Sequence, residues 1–291
     1  MIVATIERWP AVQACLDRLL PQVAAAGGEL ILADGTSNGS GAPPRTEVRY
    51  AAVTTIASPG SSVFALRARG AEAASARLLA FTEDHCVVGE QWLDRVIRAH
   101  DAHPDADMVS GPVTNGSISG LVDWANFIMT FAEFMPPAPA GPIVRTPPMS
   151  NASIRRSVLL GGALPEGWLE LVLAPTLVHE RRLHYAGDIV VSHVQPRRLG
   201  AAVAAHFHNG RASAGLARPH MAAPDWWHRL ATVPVMPVRL FASVVESLQG
   251  REAPARARRS LPAMGLLCVA HATGELTGLL FGEGPSARRL N

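Results

Sequence analysis

Short apolar runs alternate with amphipathic stretches over the first two thirds of the chain, and this alternation sets the expected fold. Ile2 to Ile6 is apolar and β-branched, a buried first strand. Trp9-Pro10 opens a stretch in which Val12, Cys15, Leu16, Leu19 and Leu20 recur at helical spacing through Gln22, until Gly27-Gly28 breaks it. Leu30 to Ala33 is a second strand, ending at Asp34-Gly35-Thr36. Strand, helix, strand is most economically a parallel β-α-β unit, here with a carboxylate at the second strand's C-terminal end. A short strand is expected at Val48 to Val53, a helix from about Val63 to Arg77, and a central strand from Leu78. A helix from Trp92 to His103 and a strand at Met108 to Val113 follow. The alternation argues for α/β with a mainly parallel central sheet flanked by helices.

From Ser119 the pattern changes. Leu121, Trp124, Phe127, Ile128, Phe131 and Phe134 make an aromatic helical segment, closed by Pro136-Pro137-Ala138-Pro139. A helix is expected after Leu164 up to about Arg182, a strand at Ile189 to His193, and a helix from His206 to Arg218. Val233 to Leu248 is apolar but broken by Pro234 and Pro237. Leu261 to Phe281 is apolar apart from His271 and Glu275. Its length borders on the roughly 20 residues that cross a bilayer. An ionisable residue near the middle disfavours a spanning helix. An in-plane anchor, an oligomer interface and an ordinary packing helix all fit it. The arginines before it, Arg251, Arg256, Arg258 and Arg259, suit anionic headgroups.

Composition narrows the class. The 291 residues, 48% of them hydrophobic, suffice for one large domain or a domain with an appendage. A net charge of +2 does not describe a general nucleic-acid binder. Cys15, Cys86 and Cys268 are too few and too scattered for a disulfide framework or a cysteine zinc site, which fits a reducing cytoplasm. Met1 to Arg8 has no signal-peptide pattern.

The chemistry concentrates where the central apolar run Leu78 to Phe81 meets Thr82-Glu83-Asp84-His85. A buried strand would deliver Glu83, Asp84 and His85 to its C-terminal edge, where ligands bind in open α/β sheets. Carboxylate plus imidazole suits a divalent cation of the Mn or Mg kind, with a diphosphate as its natural second ligand. A solvated acidic turn is the plainer reading of the triplet alone.

Several pieces fall in one order: Ala4-Thr5-Ile6-Glu7-Arg8, Ala33-Asp34-Gly35, Leu66-Arg67-Ala68-Arg69-Gly70, Phe81-Thr82-Glu83-Asp84-His85, Asn151-Ala152 before Arg155-Arg156, and Glu170 before a late His193. Over roughly residues 2 to 220 this resembles the family 2 glycosyltransferases, which have the Rossmann-like GT-A fold. The resemblance implies a glycosyltransferase domain over 1–220 and a helical C-terminal region over 221–291 that is membrane-associated or oligomerising. It implies inverting transfer of a sugar from a nucleotide-diphosphate sugar to an acceptor hydroxyl, assisted by a divalent metal (Mn or Mg). The donor would meet Ile6, Glu7, Asp34, Arg67, Arg69, Glu83 and Asp84, and the metal Asp84, His85 and His193. Glu170 would be the catalytic base, with Glu166 as runner-up. Asn151 and Arg211 would lie toward the acceptor and diphosphate.

The chain departs from the family pattern in places. Asn38 stands where a second aspartate is common, Ala68 replaces an asparagine, and Leu171 follows Glu170 where an aspartate is usual. His85 replaces the last aspartate of the metal motif; imidazole suits Mn better than Mg. Each residue also has a plain structural reading: Asp34 as a turn cap, Arg69 on a solvated helix face, Glu170 as a helix-start carboxylate, His193 as a satisfied buried histidine. The acceptor expected is a lipid-linked or surface glycan in polysaccharide biosynthesis, at the cytoplasmic face of a membrane. Two rivals stay open. A nucleotidyltransferase would want a Gly-rich, lysine-bearing loop where Ile6-Glu7-Arg8-Trp9-Pro10 stands. A catalytically silent binding or scaffold protein would share the fold without the reaction.

Overall fold

The computed structural model describes residues 1–44, 46–137, 143, 145–159 and 161–289. The elements in order are β1 (Ile2–Thr5), α1 (Gln13–Ala25), β2 (Leu30–Asp34), β3 (Val53–Ala57), α2 (Val63–Ala73), β4 (Leu78–Glu83), β5 (Cys86–Val88), α3 (Trp92–Ala102), β6 (Met108–Ser110), β7 (Val113–Asn115), α4 (Leu121–Phe131), β8 (Ala152–Arg155), α5 (Ala174–His179), β9 (Leu183–Tyr185), β10 (Val191–His193), α6 (Leu199–Ala217), α7 (Ala223–Thr232), α8 (Met236–Ser247), α9 (Ala255–Arg259) and α10 (Leu261–Phe281). They form two compact units: Met1–Thr114 with Ala138–Val194, and Asn115–Pro137 with Gln195–Asn291.

The first unit is built on a seven-stranded sheet in the order β3-β2-β1-β4-β8-β6-β9. Strands β1 to β4 are parallel to one another, and β8 alone runs antiparallel to both its neighbours, β4 and β6. This is the mainly parallel, helix-flanked α/β sheet expected from the sequence. The pleat sorts side chains by parity. Val3, Leu32 and Ala80 join one core, with Leu16, Leu19 and Trp92; Ile2, Ile31, Leu79 and Phe81 join the other, with Leu169 and Leu177. Both faces are covered, which is why these strands read as continuous apolar runs. Gly70 of α2 lies so close to β1 that an added Cβ would sit 2.5 Å from Ile2 Cγ2. A smaller sheet, β5-β10-β7, stands beside the main one.

The second unit is helical. Its centre is the pair α6 and α10, which run parallel in a matched register: Gly274 lies against Phe207, Gly278 against Arg211, and Gly215 against Glu283. A Cβ at Gly274 would fall 2.0 Å from the Phe207 carbonyl oxygen, and one at Gly210 would fall 2.1 Å from that of His271. Glycine is required where two helix backbones approach this closely. Trp226 Nε1 donates to Leu279 O at 3.1 Å, and Gly265 faces the Phe241 ring, so α7 and α8 run back along α10 as a hairpin. Arg229 pairs with the buried Glu275 and gives the one carboxylate of α10 a partner.

Several boundaries differ from expectation. The strand expected at Met108–Val113 is two strands, one in each sheet, parted at Gly111, where a Cβ would meet Ile189 O at 2.2 Å. Val48–Tyr50 is a 3₁₀ turn, and the strand begins only at Val53. The helix after Gly167 opens as a π-helical turn, Leu169–Leu173. The helical unit also draws on an earlier segment than residue 221, because α4 and α6 group with α7 to α10. The Ala138-Pro139 end of the aromatic segment lies outside the described residues.

Candidate active site

The register of the parallel strands sets the site. Thr5 pairs with Asp34 across β1 and β2, and Ala4 with Glu83 across β1 and β4. Thr5, Asp34 and Glu83 therefore end their strands at one edge. In the smaller sheet, His193 pairs with Cys86, which brings it beside His85.

His85 Nε2 lies 2.9 Å from His193 Nε2 and 3.1 Å from Glu83 Oε2, and His193 Nε2 lies 3.7 Å from that same oxygen. Ligand bonds of about 2.1 Å at right angles put neighbouring donors about 3.0 Å apart, and wider angles put them farther. Two imidazoles and a carboxylate at these separations fit one divalent ion of the Mn, Fe or Zn type. The four residues Glu83, His85, Cys86 and His193 bring potential ligand atoms within 4.8 Å of one another. Cys86 is the weakest donor among them: burial, then the nearby Glu83, pushes its thiol well above the ordinary range.

Asp84 stands behind this group. Its Oδ1 is 2.6 Å from His85 Nδ1, and its Oδ2 accepts from the Thr5 hydroxyl at 2.7 Å. A carboxylate on the far ring nitrogen fixes the tautomer and orientation of a ligating histidine. The structure thus converges His85 and His193 with Glu83, where the sequence reading grouped them with Asp84. Burial opposes charge on His85, but its bonds to Asp84 and Glu83 outweigh it and hold its pKa up to about 10. Burial opposes charge on Glu83 too, and hydrogen bonds from His193 and His85, with the Arg67 guanidinium, hold it well below the carboxylate range.

Arg67 extends the site. It lies on α2, whose first turn is capped by Ser62 Oγ accepting from Ala65 N at 3.2 Å. It is buried and bridges two carboxylates, Glu83 and Glu170, with Nη1 2.9 Å from Glu170 Oε1. Glu170 sits in the π-helical turn, a distortion often found at functional sites. Its Oε2 is buried without a hydrogen-bond partner, as is Arg67 Nε. Burial pushes the Glu170 carboxyl up despite Arg67.

The remaining residues named from the sequence have other surroundings. Asp34 is fully buried and accepts from four donors of its own loop: Thr36 N, Thr36 Oγ1, Gly41 N and Ala42 N. Its carboxylate shapes that loop. Ile6 packs beside Leu66, while Glu7 and Arg69 are exposed. Glu166 binds Ser62 Oγ at 2.5 Å. Asn151 is saturated: it donates to Pro112 O and Ile189 O and accepts from Trp92 Nε1. Arg211 belongs to the helical unit, where Nε donates to Gly282 O. Thr5 is the participant that the sequence reading missed; a threonine ending an apolar strand carries no signal without its partner.

No family model matches the chain, and no curated protein matches it. Among solved structures, it is similar to S. aureus TarS 1-349, at 11% identity over 95% of this chain and 89% of that one, TM-score 0.46. It is similar to the mannosyltransferase PcManGT from Pyrobaculum calidifontis, in complex with GDP-Man and Mn2+, at 17% identity over 99% of this chain and 77% of that one, TM-score 0.49. TarS 1-349 in complex with UDP-GlcNAc gives 11% identity, 95% and 90% coverage, and a TM-score of 0.44.

Proposed function

We propose that this chain is a glycosyltransferase that moves a sugar from a nucleotide-diphosphate donor to an acceptor hydroxyl, with inversion. The observation that carries the reading is the bridge Glu83–Arg67–Glu170, which joins the metal-competent group to a buried carboxylate with a free oxygen. A buried oxygen without a partner in the protein is a place for a ligand proton.

Glu170 Oε2 takes the acceptor's hydroxyl proton as that oxygen bonds to the anomeric carbon. The bond from that carbon to the diphosphate breaks on the opposite face, and the nucleoside diphosphate leaves with the electron pair. Arg67 holds Glu170 Oε1, which leaves the buried Oε2 as the oxygen that receives the proton. Glu83 Oε2, His85 Nε2 and His193 Nε2 are the residues that would hold a divalent ion; when bound, such an ion supplies Lewis-acid neutralisation of the leaving diphosphate. Asp84, held by Thr5, keeps the His85 ring turned for this.

Calorimetric titration with UDP and with GDP, with and without Mn²⁺, tests the reading. Manganese-dependent binding of one diphosphate is expected. His85→Ala should abolish the manganese dependence. Asp84→Ala, which removes an orienting group, should weaken metal affinity by about 10- to 100-fold. Failure of both diphosphates to bind under any metal condition would sink the proposal. Binding without turnover of any nucleotide-sugar would favour the silent-protein alternative.

A further inference from the structure

The helical unit leaves two apolar stripes uncovered. On α10, Leu266, Val269, Leu276 and Leu280 are exposed at spacings of three, four and seven residues, a single helix face that continues to Phe281, 73% exposed. Along α7 and α8, Trp227, Ala231, Pro234, Val238 and Ala242 are exposed at spacings of three and four, with Trp227 at 63% and Val238 at 72%. The two stripes belong to adjacent arms of one hairpin. By length and composition both arms are apolar enough to cross a membrane, yet little of Ala223–Ser247 and less than half of Leu261–Phe281 is buried.

Charge points to the occupant. The helical unit carries twelve arginines and seven carboxylates, net +5, so the sheet unit, with fourteen arginines and seventeen carboxylates, is at −3. The chain has no lysine, so all 26 of its Lys/Arg positions are arginine, the side chain that grips phosphate with a planar fork. Exposed arginines flank the hairpin at both ends: Arg256, Arg258 and Arg259 before α10, and Arg218, Arg288 and Arg289 beyond its other end. Arg239 is exposed beside Val238, in the middle of the α7–α8 stripe. A spanning helix would hold that arginine in hydrocarbon, whereas a helix in the interface plane lets it reach the headgroups.

We infer that the α7–α8/α10 hairpin lies in the plane of an anionic phospholipid bilayer, its apolar stripes in the acyl boundary and its arginines on lipid phosphates. This inference is independent of the glycosyltransferase reading.

Co-sedimentation of the full chain with vesicles tests it. Phosphatidylcholine vesicles containing roughly 30% phosphatidylglycerol should pellet the protein about tenfold more effectively than phosphatidylcholine alone. Roughly 0.5 M NaCl should reverse most of that gain. Arg258→Gln/Arg259→Gln should remove most of that tenfold gain. Val238→Glu/Leu276→Glu should abolish it while leaving the circular dichroism melt unchanged; both side chains are exposed. Brominated acyl chains should quench a fluorescence component that Trp227→Phe removes. No pelleting with anionic vesicles overturns the inference. A dimer in sedimentation velocity that Val238→Glu/Leu276→Glu disperses, with no lipid effect, also overturns it and assigns the face to a second copy.

Discussion

Glu170 is one side chain with two unlike oxygens. One is fixed by Arg67, and the other is buried without a partner. Glu170→Gln keeps the shape and removes the base, so kcat should fall about 10²- to 10⁴-fold while calorimetry shows unchanged diphosphate binding. Glu166→Gln, which alters only the link to Ser62, should cost far less activity. Because burial raises the Glu170 pKa, the base becomes protonated at a higher pH than an ordinary glutamate, near 4.3, would. The acid limb of the kcat profile should therefore lie above that value and vanish in the glutamine variant. Much of this site is legible in the chain, because Glu83 and His193 end strands after apolar runs and Asp84 and His85 form the turn that follows Glu83. What each carboxylate does is not legible. Asp84 turns inward because Thr5 waits on β1, and Asp34 is saturated by a loop whose hydrogen bonds depend on the room left at Gly41.

At the scale of elements, glycine placement makes the sharpest demand. Gly274→Ala would drive a methyl group into the Phe207 carbonyl, and the α6–α10 pair would have to part. A loss of about 1–3 kcal/mol is expected, read as a lower midpoint in urea. Gly265, on the same helix, is the internal contrast. An added Cβ there would meet only the Phe241 ring at 3.6 Å, an ordinary contact. Gly265→Ala should be neutral or stabilising by up to about 1 kcal/mol, because alanine is the better helix former. The helices α1, α3 and α4 follow from hydrophobic spacing, and α10 from a long apolar run. The three-residue strands β5 and β9 span too few side chains for any period to show, β6 and β7 read as one strand, β10 falls within the strand expected at Ile189 to His193, and β8 follows a proline-rich loop with no flanking signal of its own. Pro234 and Pro237 read as breaks, and each stands in the first turn of a helical segment, where the missing N–H is not needed.

Across the whole molecule, each unit buries a neutral histidine. His100, in the sheet unit, bonds Ser153 Oγ through Nε2; burial, then Arg155, lowers its pKa to about 4. His206, in the helical unit, faces Asn126 Oδ1, and burial lowers it to about 3. Both folded pKa values lie below the unfolded value of 6.5, so the unfolded chain binds these protons more readily. The stability present at neutral pH is lost as pH falls below 6.5 and through the folded values. A thermal midpoint that drops steadily from pH 6.5 to pH 4 is expected in calorimetry; a flat midpoint across that window would contradict the burial of neutral imidazoles. The opposed charge of the two units has a colloidal consequence. The +5 unit of one molecule can attract the −3 unit of another, and a net charge of +2 offers little mutual repulsion, so dilute buffer favours clustering. Added salt shortens the reach of that attraction, to about 8 Å at 0.15 M ionic strength. The protein is therefore expected to be more soluble in moderate salt than in water.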